Sequence, residues 1–141
     1  MKRIVVLLFA VAMVSSVVVA RAETSTPTNE PPANLIVDSP VPDLLAQGLV
    51  WIPWRVENVQ IGPVFGKDAL NASPRVGHLH IHVDDLPWLW ADFSNNPIDV
   101  AFLPAGQHKI RLELVNAIHQ PVPGQSKTVT FTIPKGASPS Q

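Results

Sequence analysis

Hydrophobic and polar side chains alternate with a period of two in three stretches of this chain. In Val76 to Asp84, Leu79, Ile81 and Val83 alternate with His78, His80 and His82. In Gln107 to Asn116, Ile110, Leu112 and Leu114 alternate with Lys109, Arg111 and Glu113, and near the end Val129, Phe131 and Ile133 alternate with Thr128, Thr130 and Thr132. This periodicity predicts β-strands with one apolar and one polar face, as in antiparallel sheets with one side wet. Shorter β-type runs lie at Leu35–Val37, Leu49–Ile52, Trp54–Val56 and Val59–Ile61. Pro53 interrupts two of them, which suggests an edge strand or a bulge. The one candidate helix is Val41 to Gln47, two turns at most.

Fifteen prolines and seven glycines punctuate the chain, leaving little room for helices of about ten residues or more. Pro104-Ala105-Gly106 supplies a tight turn before the second long strand. Short strands joined by turns, without a βαβ rhythm, predict an all-β fold: an immunoglobulin-like antiparallel β-sandwich, with a cupredoxin-like sandwich as the alternative.

The apolar run Ile4–Ala20 is of another kind. It follows Met1-Lys2-Arg3, carries no charge and is followed by Ala20-Arg21-Ala22. A positive start, an apolar centre and small residues at −3 and −1 define a cleavable secretory signal peptide, residues 1–22, and imply a periplasmic or secreted protein. Residues 23–34 (ETSTPTNEPPAN) have almost no large apolar side chains and three prolines, and are expected to be a disordered leader. The β-sandwich domain then spans 35–134 and a polar tail 135–141.

Cleavage changes the charge. The full chain has 10 Lys+Arg and 11 Asp+Glu; losing Lys2, Arg3 and Arg21 leaves a mildly acidic domain. Nucleic acid and anionic membrane surfaces reward clustered basic residues, so neither is an expected partner of the mature protein. The chain has no cysteine, which excludes disulfides, a thiol nucleophile and thiolate metal ligands. Both methionines, Met1 and Met13, lie in the signal.

A metal site would therefore be built from nitrogen and oxygen donors, with imidazole the only soft-to-borderline ligand left. On one strand, His78 and His80 project from a common face about 6.6 Å apart, from a rise of about 3.3 Å per residue. His108 and His119 would be about 36 Å apart in an extended segment, so they cannot share an ion unless the chain folds back. If the strand at 76–84 pairs antiparallel with that at 107–116, His78 approaches His119, and His108 falls near Asp84 and Asp85. The candidate metal ligands are therefore His78, His80 and His119, with His108 and the two aspartates a weaker second group. Neutral imidazoles suit copper(II) first and zinc second. The plainer alternative is that alternating histidines are solvated side chains on a polar strand face.

Trp88 and Trp90 are candidate ligand-binding residues, since exposed indoles stack on sugars or aromatic ligands; Trp51 and Trp54 are expected to fill the core. No GxSxG elbow or glycine-rich phosphate loop is present, and adjacent Asp84 and Asp85 face opposite ways on a strand. The sequence therefore gives no catalytic set, and the protein is read as a non-enzymatic binder.

Pro74-Arg75-Val76-Gly77-His78-Leu79-His80, Val83-Asp84-Asp85 with Pro87-Trp88-Leu89-Trp90-Ala91-Asp92, Leu103-Pro104-Ala105-Gly106-Gln107-His108-Lys109, and Asn116-Ala117-Ile118-His119-Gln120 together resemble an uncharacterised family of exported bacterial domain-of-unknown-function proteins. The resemblance covers about Leu35 to Pro134. It implies an immunoglobulin-like sandwich of the bacterial envelope, with no activity to carry over. The family pattern includes His78, His80, His108 and His119, whereas His82 departs from it.

The expectation is an exported envelope protein whose partner is a divalent metal ion or an envelope protein. The alternative is a carbohydrate- or protein-binding module using Trp88 and Trp90. N-terminal sequencing of the exported protein should read Glu23-Thr24-Ser25; a start at Met1 would mean that the segment is retained.

Overall fold

A computed structural model describes residues 29–137; the expected signal peptide lies outside them. Among the described residues nine strands are formed: β1 (Asn34–Val37), β2 (Leu49–Ile52), β3 (Trp54–Glu57), β4 (Gln60–Ile61), β5 (Val76–Val83), β6 (Trp90–Asp92), β7 (Ile98–Ala101), β8 (Gly106–Asn116) and β9 (Pro121–Ile133). One helical turn, α1 (Pro42–Leu45), falls inside the expected 41–47 segment, and a 3-10 turn spans Lys67–Asn71. The all-β reading holds.

The largest sheet has the order β4-β5-β8-β9, with β6 also pairing β5. The β5–β8 pairing is antiparallel, with Gly77 opposite Asn116, His80 opposite Glu113 and Val83 opposite Ile110. Two ribbons, β1–β3 and β2–β7, are each antiparallel. They share a core with the sheet: Leu35, Val50, Ile52 and Ile98 from the ribbons meet Leu79, Ile81, Ile110, Leu112, Leu114, Phe131 and Ile133. The apolar members of the three alternating stretches belong to this core or, in the case of Val129, pack against it, because alternation commits every second side chain to one face.

Pro53 lies between β2 and β3, which join different partners. Proline has no N–H to continue a ladder, and its carbonyl instead accepts a bond from Asp38 N at 3.0 Å. The chain therefore changes ribbon here, where the sequence suggested an edge or a bulge.

Packing contacts reach past the expected limits of the domain at both ends, and one tryptophan expectation needs correction. Ahead of Leu35, the Glu30 carboxylate accepts hydrogen bonds from Ser73 Oγ and from Arg75 N, and Ala33 is 4 % exposed. The Glu30–Arg75 ion pair, a bond from Asn58 Nδ2 to Pro32 O and the small side chain of Ala33 together dock a segment poor in large residues. Ala137, in the expected polar tail, packs against the core. Trp51 is exposed rather than core, since in β2 it is Val50 and Ile52 that point inward. Trp54 is partly buried against the core, and its indole N–H donates to Asn96 O at 2.7 Å.

At Gly77 the strands β5 and β8 approach too closely for a side chain. A Cβ there would lie 2.5 Å from the backbone oxygen of Val115, and a paired backbone cannot swing aside as a flexible side chain can. Gly77→Ala should therefore cost about 1–3 kcal/mol, the usual range for overpacking. Denaturant unfolding checks this; an unchanged midpoint would show that the two strands part without penalty.

Candidate functional site

Odd-numbered side chains of β5 enter the core, so His78, His80 and His82 share the opposite face of the sheet. That face is not uniformly wet. His78 is 0 % exposed, so the row is not the solvated one of the plainer alternative. Its cover comes from three places. Phe65 meets it edge-on with ring centroids 5.6 Å apart, Phe93 lies at 4.8 Å and His119 at 4.7 Å.

Each covering ring is delivered by backbone bonding. β4 runs parallel to β5, pairing Ile61 with Gly77, and this aims the following loop across His78. Gly62 N then donates to Gly77 O, and Gly66 N to Ala117 O at 3.0 Å. Phe65 is thus held between β5 and the β8–β9 turn. Phe93 directly follows β6, which pairs with β5 through Ala91 and His80. Phe65 and Phe93 are also in edge contact with each other, at 5.4 Å.

His119 arrives from the β8–β9 turn. Asn116 Oδ1 accepts bonds from Ile118 N and Gln120 N, both at 3.0 Å, and His119 N donates to Asn116 O at 3.0 Å. His119 itself has φ 61, the left-handed region in which His, Asn and Asp are enriched among non-glycine residues. Its ring stacks on Phe65 at 5.7 Å.

The result is a convergence of three nitrogens. His78 Nε2 and His80 Nε2 each lie 3.1 Å from His119 Nδ1, and the three offered ring nitrogens lie within 4.8 Å of one another. A ring nitrogen presents either one hydrogen or one lone pair. His119 Nδ1 can therefore form one good hydrogen bond here, not two, and His78 Nδ1 is buried without any partner. Hydrogen bonding leaves this cluster unsatisfied.

Burial, and then the charges that His119 and His80 would carry, push the His78 pKa down to about 4. His80 is lowered chiefly by burial and by His119, against an opposing pull from Glu113. The His78 ring is therefore neutral at neutral pH, the form in which imidazole binds metals. His82 stands outside the cluster. Its Nε2 is 3.8 Å from Glu113 Oε2, while Arg111 bonds the other Glu113 oxygen at 2.8 Å.

His108 is the second histidine that the structure buries. Its Nδ1 lies 2.8 Å from Asp84 Oδ2 and its Nε2 donates to Pro104 O at 2.8 Å. Asp84 Oδ1 also accepts Lys109 N, while Asp85 pairs with the Lys109 ammonium instead. Both nitrogens of His108 are thus committed to tying the turn before β8 to the end of β5. Trp88 and Trp90 are 6.4 Å apart and tilted by 38°. Trp88 is 56 % exposed in the loop after β5, whereas Trp90 lies in β6 and packs against the core.

A family model matches residues 5–141. The chain belongs to the DUF6130 family, a family of unknown function. No curated protein and no solved structure matches. The DUF6130 assignment agrees with the resemblance to an uncharacterised family that the motifs carried, and it covers the whole described domain. The assignment brings no activity with it.

Phe65 and Phe93 were not among the residues singled out from the sequence. Phe65 does sit between Gly62 and Gly66, and Phe93 follows the Trp88–Asp92 motif.

The His108–Asp84 link gives a pH prediction. Burial opposes the charged ring, but the bonds to Asp84 and Pro104 and the Asp84 charge outweigh it, so His108 titrates above its ordinary 6.5. Burial likewise opposes the Asp84 carboxylate, yet its bonds from Lys109 N and His108 hold it below 3.8. The raised His108 contributes stability that is complete below pH 6.5 and lost as pH rises through its folded pKa. Asp84→Asn should cost about 1.5–3 kcal/mol at pH 6, the range for a hydrogen bond to a charged group, and less at pH 9. Urea unfolding at both pH values checks this, and an equal cost at both would refute it.

Proposed function

We propose that this DUF6130 protein binds one divalent metal ion, copper(II) first and zinc second, through His78 Nε2, His80 Nε2 and His119 Nδ1. The observation that carries this reading is the meeting of three ring nitrogens at one point where hydrogen bonding satisfies only part of them. Nitrogens held about 2.0–2.1 Å from a common tetrahedral ion stand about 3.3 Å apart. The two contacts at 3.1 Å are close to that spacing. The donor set is all imidazole nitrogen, which suits copper(II) and zinc and lacks the thiolates and thioethers that favour copper(I).

The reading places the site in an exported, periplasmic or secreted binding protein that is not an enzyme. The charge pattern of residues 1–22 supports export, and the packing of two ribbons on one sheet supports a sandwich of immunoglobulin-like type. The exposed Trp88 supports a second reading, a carbohydrate- or protein-binding surface. Tilted and half-anchored in the core, the pair Trp88 and Trp90 offers no flat platform, so contact there would fall to Trp88.

Calorimetric titration of the purified protein with copper(II) and with zinc should show one equivalent bound. At free metal 100 times its dissociation constant, the fold should gain about 2.7 kcal/mol. His119→Asn keeps a residue that tolerates positive φ and removes the ligand, so it should fold normally and lose the binding. His78→Ala should lose it as well. No heat and no melting shift at a tenfold excess of either metal over protein would overturn the reading.

A further inference from the structure

We propose that the three-histidine centre is open and takes a small, weakly hydrated monovalent anion as its fourth ligand, an inference that rests on the metal-binding reading above. The donors argue for it. All three are neutral rings, and among the described residues no carboxylate joins the group that could hold an ion. A divalent ion there keeps its full charge of two.

The nearest acid by register is Glu113, opposite His80. Its oxygens are directed elsewhere, one to Arg111 at 2.8 Å and the other towards His82 at 3.8 Å. Asp92, beside Phe93, is turned back on its own loop, where Oδ1 accepts both Ser94 N and Ser94 Oγ at 2.8 Å. The neighbouring acids are already committed.

The surroundings decide which side is free and what fits there. His78 is buried against the sheet, His80 is half-buried and His119 is exposed, so an ion is held from the sheet side and faces outward beyond His119. Phe65 and Phe93 line the centre with rings in contact with His78, and Phe65 also stacks on the exposed His119. Apolar rings cannot replace the water of a strongly hydrated ion. An uncompensated charge in partly buried surroundings is costly. A compact anion offsets that charge; a large or strongly hydrated one does not.

Azide is the probe, with sulfate as the hydrated comparison, in chloride-free buffer. Zinc affinity is measured by calorimetry, and the copper(II) form is followed by its absorption spectrum. Azide at ten times its own dissociation constant should tighten zinc binding about tenfold, because each ligand changes the other's affinity by the same factor. It should also add an azide-to-copper charge-transfer band, while sulfate does neither.

Phe65→Glu places a carboxylate over the centre at a half-exposed position. It should tighten zinc binding in the absence of azide and abolish the azide effect. Zinc binding that azide leaves unchanged in the native protein overturns this inference and leaves the metal site standing. Failure to bind either metal overturns both.

Discussion

One register, the antiparallel pairing of β5 with β8, determines both where the core lies and where the histidines go. With Leu79 opposite Leu114 and Ile81 opposite Leu112, the apolar side chains of the two strands stack on one face beneath the ribbons. The same pairing puts His78 beside Val115, a few residues from the turn that carries His119. A shift of one residue would exchange the faces. It would send the histidines into the core and Leu79 and Ile81 outward, so core and site cannot be varied separately. Gly77 shows how tightly the pairing is drawn, since at that point the two backbones leave no space for a Cβ.

The main strands and the histidine grouping were legible because both follow from local alternation plus one antiparallel pairing. His78, His80 and His119 come together as that reasoning expects, and His108 meets Asp84 as it also expects. The burial of His78 was not legible. It depends on Phe65 and Phe93, which reach the site through the parallel β4–β5 pairing and through β6, a three-residue strand. Neither leaves a periodic trace in the sequence. Trp51 illustrates the opposite difficulty. Four consecutive apolar residues in β2 hide the alternation that turns this indole outward, so its size suggested a core position that the backbone does not give it.

The outer face of the sheet changes character along its length. Near His78 it is aromatic and closed; at His82, Arg111 and Glu113 it becomes ionic; at Lys109 and Asp85 it is open to solvent. The gradient follows from what packs above each part. The loop through Phe65 and the turn at His119 cover one end only, and side chains beyond their reach must be polar. Histidine suits the middle of such a gradient, because its ring packs like an apolar side chain and its nitrogens bind like polar ones.

His108 lies at the other end of β5 from His78, about 20 Å away by strand rise from Asp84. Its ring links the loop bearing Leu86, Trp88 and Leu89 to the turn after Phe102, and these four side chains are all exposed. The molecule therefore has two histidine-built ends with no partner in common. Residues so far apart usually contribute additively. One pole can acquire or lose a binding preference while the other keeps the fold's loops in place, and this gives a single small domain the evolutionary freedom usually associated with two.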